Sequence, residues 1–146
     1  MKLYVRSFAE TKKDMHRYLA DRADVIIEHL IKIFLYPDVQ ECNHWKQEVA
    51  AVLKKVPKLK NSNEFPSAAF IVDNSWMVWE DQFDRSVEVT KLEMKEQPEN
   101  IDNDTLYDAV NEYFHWLSKE ISKYGSVVSN NIYNEIDFLQ NKYFRR

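Results

Sequence analysis

Glycine and proline are scarce in this chain, with one glycine and four prolines in 146 residues. A β-sheet domain of this size needs glycine and short turn signals to reverse the chain, and nearly all of those are missing. Apolar and aromatic side chains instead recur at steps of three and four residues between the prolines, which is the period of an amphipathic helix. The sequence therefore predicts a single all-α domain over residues 1–146, a bundle of four main amphipathic helices plus one additional helix.

Cysteine and long apolar runs are equally scarce. The single cysteine, Cys42, excludes an internal disulfide framework and is typical of a reducing compartment. No apolar run approaches the roughly 18 residues of a membrane span, and the N-terminal segment lacks the apolar core of a secretory signal. We therefore expect a cytoplasmic protein with no membrane partner. Residues with AT-rich codons are abundant, which favours a low-GC bacterium, its phage or another mobile element as the source.

The few helix-start and helix-stop signals divide the chain into five predicted helices. Residues 7–10 match a capping box, and Pro37 ends the helix that begins there. A second capping pattern follows at Asp38. Gly125 stands where a left-handed C-terminal cap is expected after the fourth helix. Residues 2–6 are expected to form a short strand or to be disordered. The predicted helices cover about 7–36, 38–56, 67–97, 104–124 and 129–144.

Every predicted helix carries an apolar stripe that should face the core. The third helix is either continuous or broken near residues 73–75, whose side chains are good N-caps. The expected core positions, helix by helix, are Met15, Leu19, Ala23, Ile26, Leu30 and Ile33; Cys42, Trp45, Val49, Val52 and Val56; Ala69, Val72, Trp76, Trp79, Phe83 and Val87; Leu106, Val110, Tyr113, Leu117, Ile121 and Tyr124; and Ile132, Ile136, Leu139 and Tyr143.

Charge is distributed unevenly along the chain. Residues 64–112 carry 3 basic and 13 acidic groups, whereas the segments before and after them are net basic. Glu80, Asp84 and Glu88 follow one another at four-residue spacing, where like charges cost about 0.2–0.5 kcal/mol per pair. Trp76 and Trp79 lie beside them in the sequence. We expect these five residues to bind a basic protein partner, while the acidity argues against nucleic acid. The alternative is a solvated acidic face that keeps the protein soluble.

Two Glu-x-x-His motifs have the ligand spacing of di-iron bundles. They run from Glu41 to His44 and from Glu112 to His115. At 100° per residue, Glu112 and His115 lie about 150° from the centre of their apolar stripe, and His44 lies about 130° from its own. Ligands of a bundle metal must project inward, so we expect no metal here. No glycine-rich phosphate loop is present, and no cofactor is expected.

Arg22 and His29 provide one catalytic alternative. Together they resemble the signature of the helical nucleotide-binding ribonuclease superfamily found in prokaryotic toxins, in which an arginine is followed by four to six residues and a histidine. Seven residues are almost two helical turns, so the two side chains lie on one side of the helix. The resemblance implies that His29 acts in acid–base cleavage and that Arg22 holds the phosphate.

The absence of a convincing catalytic set favours a non-enzymatic function. We expect a small acidic cytoplasmic protein of the accessory, inhibitor or immunity type, acting by stoichiometric protein–protein interaction. Two alternatives stay open, the ribonuclease that uses Arg22 and His29 and a structural homodimer that associates through exposed aromatic side chains.

Overall fold

The chain folds into six α-helices over its described residues. The computed structural model describes residues 2–76 and 79–144, and it describes side chains from residue 13 onward except those of Asn74 and Ser129. No strand occurs in these residues, so the predicted all-α fold is confirmed. The helices are α1 (Lys2–Leu35), α2 (Cys42–Lys54), α3 (Ala68–Ser75), α4 (Trp79–Glu93), α5 (Asn103–Tyr124) and α6 (Ser129–Tyr143), with a single 3-10 turn at Ser62–Glu64.

The long helix α1 lies at the centre of the bundle. It packs against α2, α3, α4 and α5, and α6 packs against α5 and α2. All six stripe positions predicted for α1 are buried, and most of those on the other helices are buried as well. Ala69 and Tyr124 are exceptions because both are exposed, and α3 buries Ile71 instead. Within the described residues, none of the helices combines the length and the apolar character required to cross a membrane.

Two helices do not begin at the residues that the sequence predicts. The backbone of α1 is helical from Lys2, so the expectation that residues 2–6 form a strand or are disordered is wrong. No glycine or proline precedes Ser7 to stop the helix there. Helix α2 begins at Cys42, four residues later than expected, because the chain turns after Pro37. In that turn the Cys42 N–H donates to the carbonyl of Val39.

Of the two possibilities for residues 67–97, a continuous helix and one broken near residues 73–75, the structure has the broken one. Helix α3 ends at Ser75 and α4 begins at Trp79, while residues 77–78 lie outside the described part of the chain. Residues 73–75 (Asp-Asn-Ser) have low helix propensity, which weakens the helix just before the break. The Trp79 N–H donates to the Trp76 carbonyl at 3.1 Å, so the residues that flank the junction are in direct contact.

Gly125 caps α5 in the left-handed conformation, as predicted. Its φ is 69°, and its N–H donates to the Ile121 carbonyl at 2.8 Å. A Cβ at this position would lie 2.4 Å from Cε1 of the Phe65 ring. We expect Gly125→Ala to lower the free energy of unfolding by about 2–4 kcal/mol, since backbone strain and overpacking add. Urea denaturation measures this, with the exposed neighbour substitution Tyr124→Ala as control. If Gly125→Ala unfolded at the same urea concentration as the wild type, the result would contradict the cap geometry.

Candidate functional site

The outward side of α4 carries a cluster of carboxylates. Glu80, Asp81, Asp84 and Glu88 are all exposed, because the opposite side of this helix buries Phe83, Val87 and Thr90 in the core. We call these four carboxylates the acidic face. None of them forms an ion pair with a described residue. The three acids expected from the sequence are thus together on one exposed surface, and Asp81 joins them.

Trp76 and Trp79 do not contribute to this surface. Trp76 is 1% exposed, and its indole N–H donates to the hydroxyl oxygen of Ser118 at 2.8 Å in the core. Trp79 is 3% exposed, and its ring stacks on that of Tyr107 with 4.7 Å between centroids. A buried side chain offers no contact area to a partner, so the expectation that the tryptophans lie beside the carboxylates on the surface is wrong. Their apolar area stabilises the core instead.

Tyr107 lies between this aromatic core and the acidic face. Its hydroxyl is close enough to Glu80 for the charge of that carboxylate to act on it. Burial and the negative charge of Glu80 together raise the pKa of Tyr107 to about 12, so its hydroxyl remains a donor throughout the physiological range. The Tyr107 ring packs on Trp79, so the buried aromatic cluster reaches the edge of the acidic face.

Two apolar side chains on α4 are exposed beside the acidic face. Leu92 lies one turn beyond Glu88 and is 85% exposed, while Val89 is 39% exposed. Single exposed apolar side chains are common on protein surfaces, and Leu92 would add apolar contact area for a partner that lies along the acidic face. Helical spacing marks the buried stripe of a helix, and Leu92 falls on the side of the helical wheel opposite to Phe83 and Val87, so the sequence pattern does not single it out.

Arg22 and His29, the residues of the ribonuclease alternative, do not line a common pocket. The Arg22 guanidinium lies over the Tyr18 ring, 5.5 Å from its centroid. His29 is engaged at both ring nitrogens, with Nδ1 2.7 Å from the Val25 carbonyl oxygen and Nε2 3.4 Å from Oε2 of Glu48. The surface groove between α1 and α2 is lined by Arg22 but not by His29, whose side chain is 14% exposed.

The two Glu-x-x-His motifs lie on separate surfaces. His44 is exposed and pairs with Glu48 at 2.9 Å, and His115 is exposed on α5. Glu112 accepts hydrogen bonds from Lys142 and Tyr143, each at 2.7 Å. Among the described residues, no three His, Cys, Asp or Glu side chains are arranged to hold a metal ion. The motifs therefore do not meet as the ligands of a bundle metal would.

Comparison of the chain with protein-family models, with curated proteins and with solved structures finds no match.

Proposed function

We propose that this protein acts by stoichiometric binding of a basic protein through its acidic face, as an accessory, inhibitor or immunity-type protein. One observation carries the proposal. Four exposed carboxylates without ion-pair partners among the described residues lie on one helix beside Leu92, which is 85% exposed. An apolar contact surrounded by polar groups agrees with the core-and-rim arrangement of protein interfaces, and the carboxylates select for a basic partner.

The energetics favour a basic partner over solvent alone. Glu80, Asp84 and Glu88 repel one another at four-residue spacing, at a cost of about 0.2–0.5 kcal/mol per pair. Lysine or arginine side chains of a partner relieve that repulsion, and the field of the face accelerates encounter with a cationic surface. Burial of Leu92 then adds apolar area, which slows dissociation. Electrostatics thus set the choice of partner, and the leucine adds affinity.

Affinity capture of the tagged full-length chain from its native cells tests the proposal. We expect one basic protein in a one-to-one ratio, released by raised salt because screening weakens exposed charge pairs. The same capture from the variant Glu80→Lys/Asp84→Lys/Glu88→Lys should lose that protein. Recovery of RNA, which the ribonuclease requires, or of the tagged chain alone as a dimer, would contradict the proposal.

Leu92→Ser is expected to weaken the complex about tenfold, because burying a leucine side chain contributes about 1.5–3 kcal/mol when burial is complete. Since the side chain is exposed in the unbound protein, the melting temperature should not fall. Calorimetric titration of the captured partner measures the loss. Phe138→Ser, at a 52% exposed residue of α6, is the matched control and should bind as the wild type does. Equal affinity of Leu92→Ser and wild type would remove the leucine from the interface.

A further inference from the structure

Helices α5 and α6 pack against each other, and two polar contacts fix how they align. At one end of this interface, the Asn131 side-chain amide donates to Oε1 of Glu120 at 3.3 Å. At the other end, the Lys142 ammonium donates to Oε1 of Glu112 at 2.7 Å. The two helices are therefore antiparallel, because the earlier residue of α6 meets the later residue of α5.

Glu135 lies between these two contacts. It follows Asn131 by four residues and precedes Lys142 by seven, so at 100° per residue the three side chains lie within about 40° on one side of α6. Glu135 is partly buried there, and it forms no ion pair with a described residue. The interface thus brings three carboxylates together, those of Glu112, Glu120 and Glu135, and its Lys142 already binds the first of them.

Two buried oxygens of α5 at this interface lack a hydrogen-bond partner among the described residues. They are Oε2 of Glu120 and the hydroxyl oxygen of Tyr113, seven residues apart and so on one side of the helix. Buried polar atoms are nearly always hydrogen-bonded, and an ionised carboxylate oxygen can only accept. An ionised Glu135 has no proton to donate, whereas its neutral carboxyl has one O–H donor. The unpaired oxygens therefore favour the protonated form of Glu135.

The charges around Glu135 favour the same form. Burial, followed by the negative charges of Glu112 and Glu120, raises the pKa of Glu135 from its ordinary value of 4.5 to about 7, and Lys142 offsets only part of this effect. Burial and the charge of Glu135 raise the pKa of Tyr113 in turn, which agrees with a position of the hydroxyl close to that carboxyl. Like charges brought together out of water disfavour ionisation of one of them.

The other charged groups of this region do not compensate Glu135. Helix α2 packs on a different side of α6, where Lys46 pairs with Asp137 at 3.3 Å. Asp137 lies two residues after Glu135, which is about 200° around the helix. Lys119 and Lys123 are exposed on α5 and act on its two carboxylates. Glu135 thus depends on a proton to neutralise its charge.

We propose that Glu135 is a pH-sensitive switch between α5 and α6, which carries a proton while the two helices are packed and weakens their packing when it loses that proton to water. The neutral carboxyl adds a donor to an interface that has unpaired acceptors, whereas the ionised one adds a third negative charge beside two others. The inference is independent of the proposed function, because the acidic face lies on α4 and the switch lies between α5 and α6.

The direction of the pH dependence follows from the two states of the chain. In the unfolded chain, the pKa of Glu135 returns to its ordinary value of 4.5. The folded protein therefore binds more protons at Glu135 between pH 4.5 and about 7, and its stability falls as the pH rises through this range. Below this range Glu135 costs the fold nothing, and above it the loss of stability is complete. Glu135→Gln keeps the size of the side chain and cannot ionise, so it should escape this loss.

Thermal unfolding of the full-length wild type and of Glu135→Gln, from about pH 5 to about pH 8, tests the switch. We expect the melting temperature of Glu135→Gln, relative to that of the wild type, to rise by about 5 °C across this range. Asp137→Asn is the matched control, because Asp137 is an exposed carboxylate on another side of α6, and its difference from the wild type should not change with pH. A difference between Glu135→Gln and the wild type that is the same at both ends of the range would overturn the proposal.

Amide hydrogen exchange at about pH 6 and about pH 8, corrected for the intrinsic exchange rates, shows where the protein responds. The wild type should lose protection in residues 129–143 at the higher pH, and Glu135→Gln should keep it, because only the wild type ionises at this position. Unchanged protection of these residues in the wild type would overturn the proposal. An equal loss in all helices would overturn it as well, since pH would then act on the whole fold.

Discussion

Replacing Trp76 by alanine is expected to lower the free energy of unfolding by about 3–5 kcal/mol, the usual cost of removing a fully buried large aromatic side chain. Trp76 is 1% exposed, and the centroid of its ring lies 4.4 Å from the centroid of the Phe114 ring. Its indole N–H donates to Ser118 at 2.8 Å. Since small domains have about 5–15 kcal/mol of stability in total, Trp76→Ala should be close to unfolding at physiological temperature. Urea denaturation followed by circular dichroism measures the loss.

Trp76→Phe is the control that separates ring packing from hydrogen bonding. It keeps an aromatic ring beside Phe114 and removes only the donor to Ser118, whose hydroxyl still donates to the Phe114 carbonyl at 2.9 Å. We expect it to cost about 1–2 kcal/mol. If Trp76→Ala instead retained the wild-type stability and lost only partner binding, Trp76 would be a surface contact as the sequence suggested, and the burial found here would be wrong.

The charge-reversal variant Glu80→Lys/Asp84→Lys/Glu88→Lys should weaken the complex at least about 100-fold at low salt, because facing like charges cost several kcal/mol at an interface. The difference in affinity between this variant and the wild type should shrink as the salt concentration is raised, since salt screens exposed charges. Interferometry with the immobilised partner, across a series of salt concentrations, measures both effects. The association rate should fall as well, because the field that steers the partner is reversed.

A second triple variant controls for net charge. Asp14→Lys/Asp21→Lys/Asp24→Lys makes the same change in net charge at three exposed positions of α1. It should bind nearly as the wild type does, because the effect depends on where the charge lies. Both variants should keep most of their stability, because all six replaced side chains are exposed. Equal losses of affinity in the two triple variants would indicate that the partner is attracted by the net charge of the protein and not by the acidic face.

Helical periodicity predicts the buried side of most helices because burial repeats with the turn of the helix. The stripe of α1, from Met15 to Ile33, is buried throughout, and Gly125 occupies the left-handed cap that its position indicated. Periodicity alone does not decide whether a long apolar pattern is interrupted. The repeat through Trp76 and Trp79 continues at helical spacing, whereas the good N-caps at residues 73–75 allow a break, and the structure has two helices there. Tertiary contacts of the indole rings, which sequence spacing does not contain, accompany that break.

The candidate site was only partly predictable for a related reason. Glu80, Asp84 and Glu88 are close in sequence, so their common surface follows from helical spacing alone. Long-range contacts are different: the Glu99 N–H donates to the Leu35 carbonyl at the end of α1, and no local pattern links segments about 60 residues apart. Leu92 was missed because an exposed apolar residue has no periodic signature of its own. Its exposure becomes informative once the buried side of α4 is known.

Amide hydrogen–deuterium exchange of the full-length protein, alone and saturated with the captured partner, tests the central claim most directly. Binding through the acidic face predicts added protection over residues 79–93, with the amides of α1 and α2 that line the groove between those two helices unchanged. Added protection around Arg22 and His44 with residues 79–93 unchanged would contradict it, because the partner would then occupy the groove between α1 and α2.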